Sequence, residues 1–264
     1  MVENLNSLKM DSVSEQIREP LKLFAEKLIA GLGNNLQSIT VVGSSLTQDY
    51  KPPSSAPMGL RRTGGQSDIN TILVIGRQAL SSLNAIASMA KQMSKKKISA
   101  PLLMTISYIE RSRDVFGIEF LDFQLNHQTI LGDDPFASLS FDKKDVRLQC
   151  ERELKAMLIR LRQGYIAAAA NKKLVRDILI SAVKGLAPLL RAMLWLKDID
   201  RPKTAEPTFN KAASEFSINM DSLLNVVKWR YEKSRLSESE MENAFESVYT
   251  TVDKLALAVD KLET

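Results

Sequence analysis

The sequence changes character near residue 143, and this change limits the folds that the chain can adopt. Before it, short apolar runs alternate with helical patterns and turn residues. After it, apolar residues recur at helical spacing, and the sequence offers no convincing strand. We therefore predict an α+β protein with two domains: a mixed sheet with flanking helices over 1–142, and an all-helical bundle over 143–264.

Strand-like and helical segments alternate in the first domain. The run 39–42 is β-branched, and 69–75 is a continuous apolar run suited to a strand buried on both faces. The predicted strands cover 39–42, 69–75, 101–109 and 117–125, and the predicted helices of this domain cover 12–31 and 78–94. Strands mixed with helices over about 140 residues are typical of an α/β or α+β domain.

The second domain reads as a series of helices. The predicted helices cover about 143–170, 173–197, 208–217, 221–233 and 238–262. Pro188 lies inside the second of them and should kink or interrupt it, because proline lacks the backbone N–H that a helix interior uses. The segment 198–207 contains two prolines and reads as a linker.

The positive charge of the chain is concentrated in its middle. The formal net charge is +5, and residues 143–203 hold 15 basic and 6 acidic side chains. Such a segment attracts phosphate-bearing ligands or nucleic acid, or it forms a solvated helical surface. Nucleic acid is the weakest of these alternatives, because there is no recognition motif and no Lys/Arg run longer than 95–97.

Residue counts exclude several kinds of site. One cysteine, Cys150, makes neither an intrachain disulfide nor a cysteine zinc cluster, and one histidine, His127, excludes a multi-histidine metal site. No apolar run approaches the roughly 18 residues of a membrane span. No secretory signal is visible at the N-terminus. We expect a cytoplasmic protein without a membrane partner.

A small-residue turn follows the first predicted strand. Gly43, Ser44 and Ser45 would let backbone N–H groups approach a phosphate closely. A loop of about 20 residues, rich in proline and glycine, comes next and carries Arg61 and Arg62. Loops of this length inside a domain are usually functional or disordered, so we include both arginines as candidate nucleotide contacts.

Polar residues open the buried strand that follows this loop. Asp68 and Asn70 are two apart, so a strand directs both side chains to one side. Their oxygen atoms suit hard cations such as Mg²⁺. A third carboxylate from a neighbouring strand would complete a two-metal site, and Glu119 and Asp122 are the candidates. They are three apart, so a regular strand would turn only one of them inward.

The order of these motifs resembles the nucleotidyltransferase superfamily of the DNA polymerase β type, in particular the bacterial antibiotic and minimal nucleotidyltransferases. The resemblance lies in Gly43-Ser44-Ser45, then Ser67-Asp68-Ile69-Asn70, then the acidic segment 114–122, then a helical half. The stretches 131–135 and 148–165 add to it, and it covers most of residues 35–198.

The resemblance implies a metal-dependent transfer of a nucleoside monophosphate from a nucleoside triphosphate to a hydroxyl of a small molecule or protein. Mg²⁺ or Mn²⁺ would be held by Asp68, Asn70 and Asp122, and Asp68 with Asp122 or Glu119 would be catalytic. It also implies acceptor contacts, and often a homodimer interface, in the helical domain. Basic side chains of the helix 143–170 could reach phosphate.

Two departures from the family pattern support an alternative function. Asn70 stands where the motif has its second Asp, which removes one negative charge and weakens metal binding. The gap between Gly43 and Asp68 is longer than the usual spacing. The alternative is a degenerate nucleotidyltransferase that binds nucleotide or a protein partner without transfer.

Overall fold

The chain forms two compact units in a computed structural model that describes residues 8–11, 13–50, 67–229 and 236–263. The first unit comprises the described residues of Met1–Arg113 and Phe123–Ser140, and the second those of Asp114–Asp122 and Phe141–Thr264. The domain boundary at 142 stays a prediction. The compact units differ from it in that residues 114–122 are grouped with the helical unit.

A four-stranded mixed sheet is the centre of the first unit. Its strands are β1 (Leu36–Val42), β2 (Asn70–Ile75), β3 (Leu102–Met104) and β4 (His127–Leu131), in the order β3-β2-β1-β4. Strand β1 pairs antiparallel with both β2 and β4, and β3 runs parallel to β2. The predicted runs 39–42 and 69–75 thus form the two central strands of the sheet.

One face of the sheet packs against the N-terminal helix. The helices of the first unit are α1 (Glu15–Leu32), α2 (Leu80–Ala87), α3 (Ala90–Lys95) and α4 (Ile106–Arg111). In α1, Ile17, Phe24 and Leu28 lie on one buried stripe, as their helical spacing predicts. They share a core with Val41 and Leu73, which lie on one face of the sheet.

The second unit consists of helices. They are α6 (Lys143–Ala168), α7 (Lys172–Lys184), α8 (Leu186–Leu196), α9 (Ala205–Phe216), α10 (Asp221–Trp229) and α11 (Glu238–Asp260). The predicted interruption near Pro188 is confirmed. Helix α7 ends before Gly185, and Pro188 is the third residue of α8, where a backbone N–H has no partner within the helix.

The stretch Lys172–Leu196, which contains α7 and α8, is long and apolar enough to span a membrane by length and composition. Of its most apolar window, 56% is buried inside the protein. A buried core helix of a globular protein meets the same criteria. The stretch is therefore weak evidence for a membrane span.

Two predicted strands are wrong in whole or in part. The segment 117–125 forms helix α5 (Gly117–Leu125), because Ile118, Phe120 and Leu121 are buried together at helical rather than alternating spacing. The segment 101–109 contributes only the short β3. The chain then enters α4, where the side chain of Thr105 accepts a hydrogen bond from the backbone N–H of Tyr108.

Candidate functional site

The turn after β1 is built as the glycine–serine motif requires. Gly43 has a φ of +80°, a left-handed conformation that favours glycine, and it begins a 3₁₀ turn over Gly43–Leu46. A Cβ added to Gly43 would lie 3.8 Å from Nδ2 of Asn70. The turn therefore lies close to the side chain of Asn70.

The two serines of the turn have different surroundings. The hydroxyl of Ser45 is buried and donates to the carbonyl oxygen of Val42, 3.4 Å away. Ser45 therefore stabilises the turn, and its role in nucleotide binding stays a prediction. Ser44 is only half-buried, and its hydroxyl makes no hydrogen bond to any residue in the described part of the chain. Ser44 is the better placed of the two to meet a ligand.

A row of side chains crosses the sheet beside this turn. Val42 is paired with Asn70 on one side and with His127 on the other. Residues directly opposite each other in antiparallel strands share a face, so Asn70 and His127 lie on the same face. Two strand spacings separate them by about 10 Å. Asp68 and Asn70 are both exposed at the start of β2.

Tyr50 belongs to the same neighbourhood. Burial raises the pKa of its phenol, and the negative charge of Asp68 raises it further. Nothing in the sequence marks this tyrosine, because it lies in an irregular segment 18 positions before Asp68 in the chain. Its proximity to Asp68 comes from the fold alone.

Replacing Asp68 with Asn should lower the pKa of Tyr50 toward its ordinary value, because the neighbouring charge is lost while the burial remains. An ultraviolet titration of tyrosine ionisation measures this change, with Tyr50→Phe identifying the contribution of Tyr50. Asp133→Asn is the control, since Asp133 is exposed and is not among the causes of the Tyr50 shift. An unchanged titration in Asp68→Asn would contradict the proximity.

His127 is held by hydrogen bonds on both ring nitrogens. Its Nε2 lies 2.7 Å from Oδ2 of Asp134, and its Nδ1 lies 3.2 Å from the carbonyl oxygen of Gln124. At the start of β4, both ring nitrogens of His127 therefore have hydrogen-bond partners, and one of these bonds fixes the loop that contains Asp134. The sequence presents His127 only as the single histidine of the chain, because the strand His127–Leu131 was not among the predicted strands.

Acid should weaken the interaction between His127 and Asp134. Partial burial raises the pKa of Asp134, but hydrogen bonds from His127 and from backbone N–H groups outweigh burial and hold it below its ordinary value. Asp134 thus contributes stability above about pH 4, which is lost as the pH falls through the lowered pKa. Asp134→Asn should flatten this part of the curve of melting temperature against pH, whereas Asp133→Asn should not. If the curves of melting temperature against pH for the wild type and Asp134→Asn are parallel, the contribution of Asp134 to stability is contradicted.

The candidate third carboxylates lie on a helix. Oδ1 of Asp122 lies 2.6 Å from Nε of Arg191, and Oε2 of Glu119 accepts a hydrogen bond of 2.9 Å from Gln149. All four residues belong to the helical unit. The alternation argument that allowed only one of the two to point inward is therefore wrong, because residues three apart on a helix are neighbours. A catalytic role for either carboxylate stays a prediction.

The sheet itself offers few metal ligands. None of its four described strands carries an Asp or Glu, and no cluster of three or more His, Cys, Asp or Glu suited to a metal occurs among the described residues. Asp68 and Asn70 supply two oxygen ligands. They fit one Mg²⁺ that takes its remaining ligands from phosphate and water, but they do not fit a pair of metals.

Most of the predicted basic contacts on α6 have partners within that helix. Arg147 and Lys155 both pair with Glu151, and Arg152 and Arg160 lie near Glu153. Much of their charge is therefore balanced locally. Arg61 and Arg62 lie outside the described residues, so their predicted role stays a prediction.

The fold of the chain is similar to that of a solved adenyltransferase, which is the kind of fold that the sequence resemblance predicts. A solved structure of spectinomycin adenyltransferase AAD(9) from Enterococcus faecialis, with ATP and spectinomycin, is similar over 92% of this chain and 99% of that chain. The TM-score is 0.54 and the sequence identity is 12%, so the similarity establishes the fold alone. No protein-family model matches the chain, and no curated protein sequence matches it.

Proposed function

We propose that the protein is a nucleotidyltransferase that moves a nucleoside monophosphate from a nucleoside triphosphate to a hydroxyl group. The observation that carries this proposal is the placement of the Gly43 turn directly after Val42, which pairs with Asn70 two residues after Asp68. The shared fold supports it, because the similar structure is an adenyltransferase with ATP and a small molecule. A cytoplasmic location and a homodimer remain further predictions.

Each residue of the site has a role in this proposal. Ser44 would bind phosphate oxygens, since its half-buried hydroxyl has no hydrogen-bond partner among the described residues. Backbone N–H groups of the turn would add to it, except that of Gly43, which already donates to the carbonyl oxygen of Asn126. Asp68 and the amide oxygen of Asn70 would hold one Mg²⁺ or Mn²⁺. When bound, the ion would neutralise charge on the phosphates and on the leaving pyrophosphate.

The chain contributes mainly by positioning, as is usual in phosphoryl transfer. The acceptor oxygen forms a bond to the α-phosphorus, the bond from that phosphorus to the pyrophosphate oxygen breaks, and the hydroxyl proton is lost to water. Asp68 is the carboxylate that we expect to matter most, because Asn70 brings no charge.

A second function is favoured by the same residues. The described strands carry no carboxylate, and Asn70 replaces one. Such a site can bind a nucleoside triphosphate without transferring its nucleoside monophosphate to an acceptor. The protein would then sense nucleotide or use the scaffold to contact a partner.

Release of pyrophosphate from ATP, CTP, GTP and UTP, with Mg²⁺ or Mn²⁺, separates the two functions. Transfer predicts release that falls at least 100-fold in Asp68→Asn and persists in the control Asp133→Asn. Asn70→Asp should raise it, because the second carboxylate is restored. Nucleotide binding with no release, even in Asn70→Asp and across a panel of hydroxyl compounds, would favour the second function.

A further inference from the structure

Asp68 also lines a cavity of about 620 Å³ within the sheet unit. Leu83 and Ile86 of α2 and Leu103 of β3 give this cavity, hereafter the α2–β3 cavity, its apolar wall. Lys97 lines it as well. The volume is in the range of small-molecule binding sites, which combine apolar walls with a few polar groups.

Lys97 is fixed beside the start of β2. Its φ is +59°, an unusual conformation for a residue with a side chain, and its N–H donates to the carbonyl oxygen of Ser94 at 3.1 Å. Its own carbonyl oxygen accepts the N–H of Ile69 at 2.8 Å. Ile69 directly follows Asp68, so the backbone holds Lys97 and Asp68 on the same cavity.

The two charged groups do not neutralise each other. Lys97 forms no ion pair with any carboxylate among the residues that the structure describes. Both charges are therefore available to a ligand.

The charged side chains in the sequence around the cavity are almost all positive. Residues 69–109 contain no Asp or Glu but include Arg77 and four lysines, three of which are consecutive at 95–97. Among the described residues that line the cavity, Asp68 is the only carboxylate. The local field thus favours an anionic ligand over a cationic one.

We infer that the α2–β3 cavity receives the hydroxyl acceptor, and that this acceptor has an apolar ring body and an anionic group. The anionic group meets Lys97, the ring lies against Leu83 and Ile86, and the hydroxyl faces Asp68. This inference rests on the proposed function, since that function supplies the role of Asp68. It assigns an acceptor class unlike a polyamine, which would bring positive charge to the wall that carries Lys97.

A matched series of bicyclic probes tests the acceptor class without requiring turnover. The probes are 6-hydroxy-2-naphthoate, its neutral amide and the corresponding aminomethyl compound, with affinities measured by titration calorimetry. We expect the naphthoate to bind at least fivefold more tightly than the amide, and the amine to bind most weakly. Lys97→Gln should abolish this preference, and Ala87→Phe should obstruct the cavity that Ala87 lines. Lys95→Gln, which removes a charge outside the cavity lining, should keep the preference.

Other outcomes would overturn the inference. These are binding of the amine as tight as that of the naphthoate, equal effects of Lys95→Gln and Lys97→Gln, or no binding of any probe. Displacement of the naphthoate by adenosine would assign the cavity to the nucleoside and overturn the acceptor role. If the naphthoate binds but ATP does not, the proposed function fails while the cavity remains an anion-selective ligand site.

Discussion

Replacing Asp122 with Ala should destabilise the helical unit by about 3 kcal/mol, because removing one partner of a buried ion pair leaves an uncompensated charge. The side chain of Arg191 is only 8% exposed, and that of Asp122 is 15% exposed. Burial lowers the pKa of Arg201, and the negative charge of Asp122 partly opposes this shift. Asp122 therefore also stabilises the charged form of a second guanidinium. Urea unfolding followed by tryptophan fluorescence measures the loss, because Trp195 and Trp229 both lie in this unit.

The double variant Asp122→Leu/Arg191→Met is the control. It removes both charges and should recover most of the lost stability, since a buried ion pair can often be replaced by apolar residues of similar volume. It also tests the predicted catalytic role of Asp122. A folded double variant that still releases pyrophosphate would exclude that role. If Asp122→Ala is as stable as the wild type, the stabilising role of the Asp122–Arg191 ion pair is contradicted.

Replacing Gly132 with Ala should destabilise the sheet unit by about 3 kcal/mol or more. A Cβ at this position would lie 2.0 Å from the backbone carbonyl oxygen of Gln37, so β1 or the end of β4 must move. The φ of +73° adds strain for any residue with a side chain. Hydrogen exchange of the β1 and β4 amides reports this loss in the sheet unit itself.

Gly33→Ala separates the clash from the backbone strain. Gly33 also has a positive φ, +52°, but a Cβ there would meet nothing within 4 Å. We expect this variant to cost about 2 kcal/mol, within the usual cost of a sparsely populated backbone conformation alone. Equal destabilisation by the two substitutions would show that the contact with Gln37 is unimportant.

The sequence predicts the helices after residue 143 because their apolar residues recur at helical spacing and some of their ends carry capping residues. Asp142 caps α6 by accepting a hydrogen bond from the backbone N–H of Lys144, as expected for an acidic helix start. Ser237 and Glu240 form a reciprocal cap at the start of α11. Such signals are local, so they survive without knowledge of the rest of the fold.

The segment 117–125 shows where local patterns fail. Ile118 and Phe120 are two apart, as on one face of a strand, while Ile118 and Leu121 are three apart, as on one face of a helix. Over so short a run the sequence pattern does not decide between strand and helix. The deciding contact is distant in sequence: the side chain of Gln149 accepts the backbone N–H of Ile118 at 3.1 Å. A bond between residues 31 positions apart leaves no trace in the local pattern.

Some features of the candidate site are visible in the sequence, and others depend on contacts that only the fold creates. The order of the Gly43 turn and the polar start of β2 is visible in the sequence, but their proximity depends on the pairing of Val42 with Asn70. The row from Asn70 to His127 depends on strand register, and the proximity of Tyr50 to Asp68 joins residues that are 18 positions apart in the chain. Neither is encoded in a spacing that the sequence displays.

Titration calorimetry of ATP with Mg²⁺ tests the central claim most directly, namely that the Gly43 turn and Asp68 form a nucleotide site. We predict saturable binding to the wild type, an affinity at least tenfold weaker in Asp68→Asn, and unchanged affinity in Asp133→Asn. Binding of the same strength in Asp68→Asn would place the nucleotide elsewhere. The absence of binding by ATP, CTP, GTP and UTP to the wild type would contradict the claim.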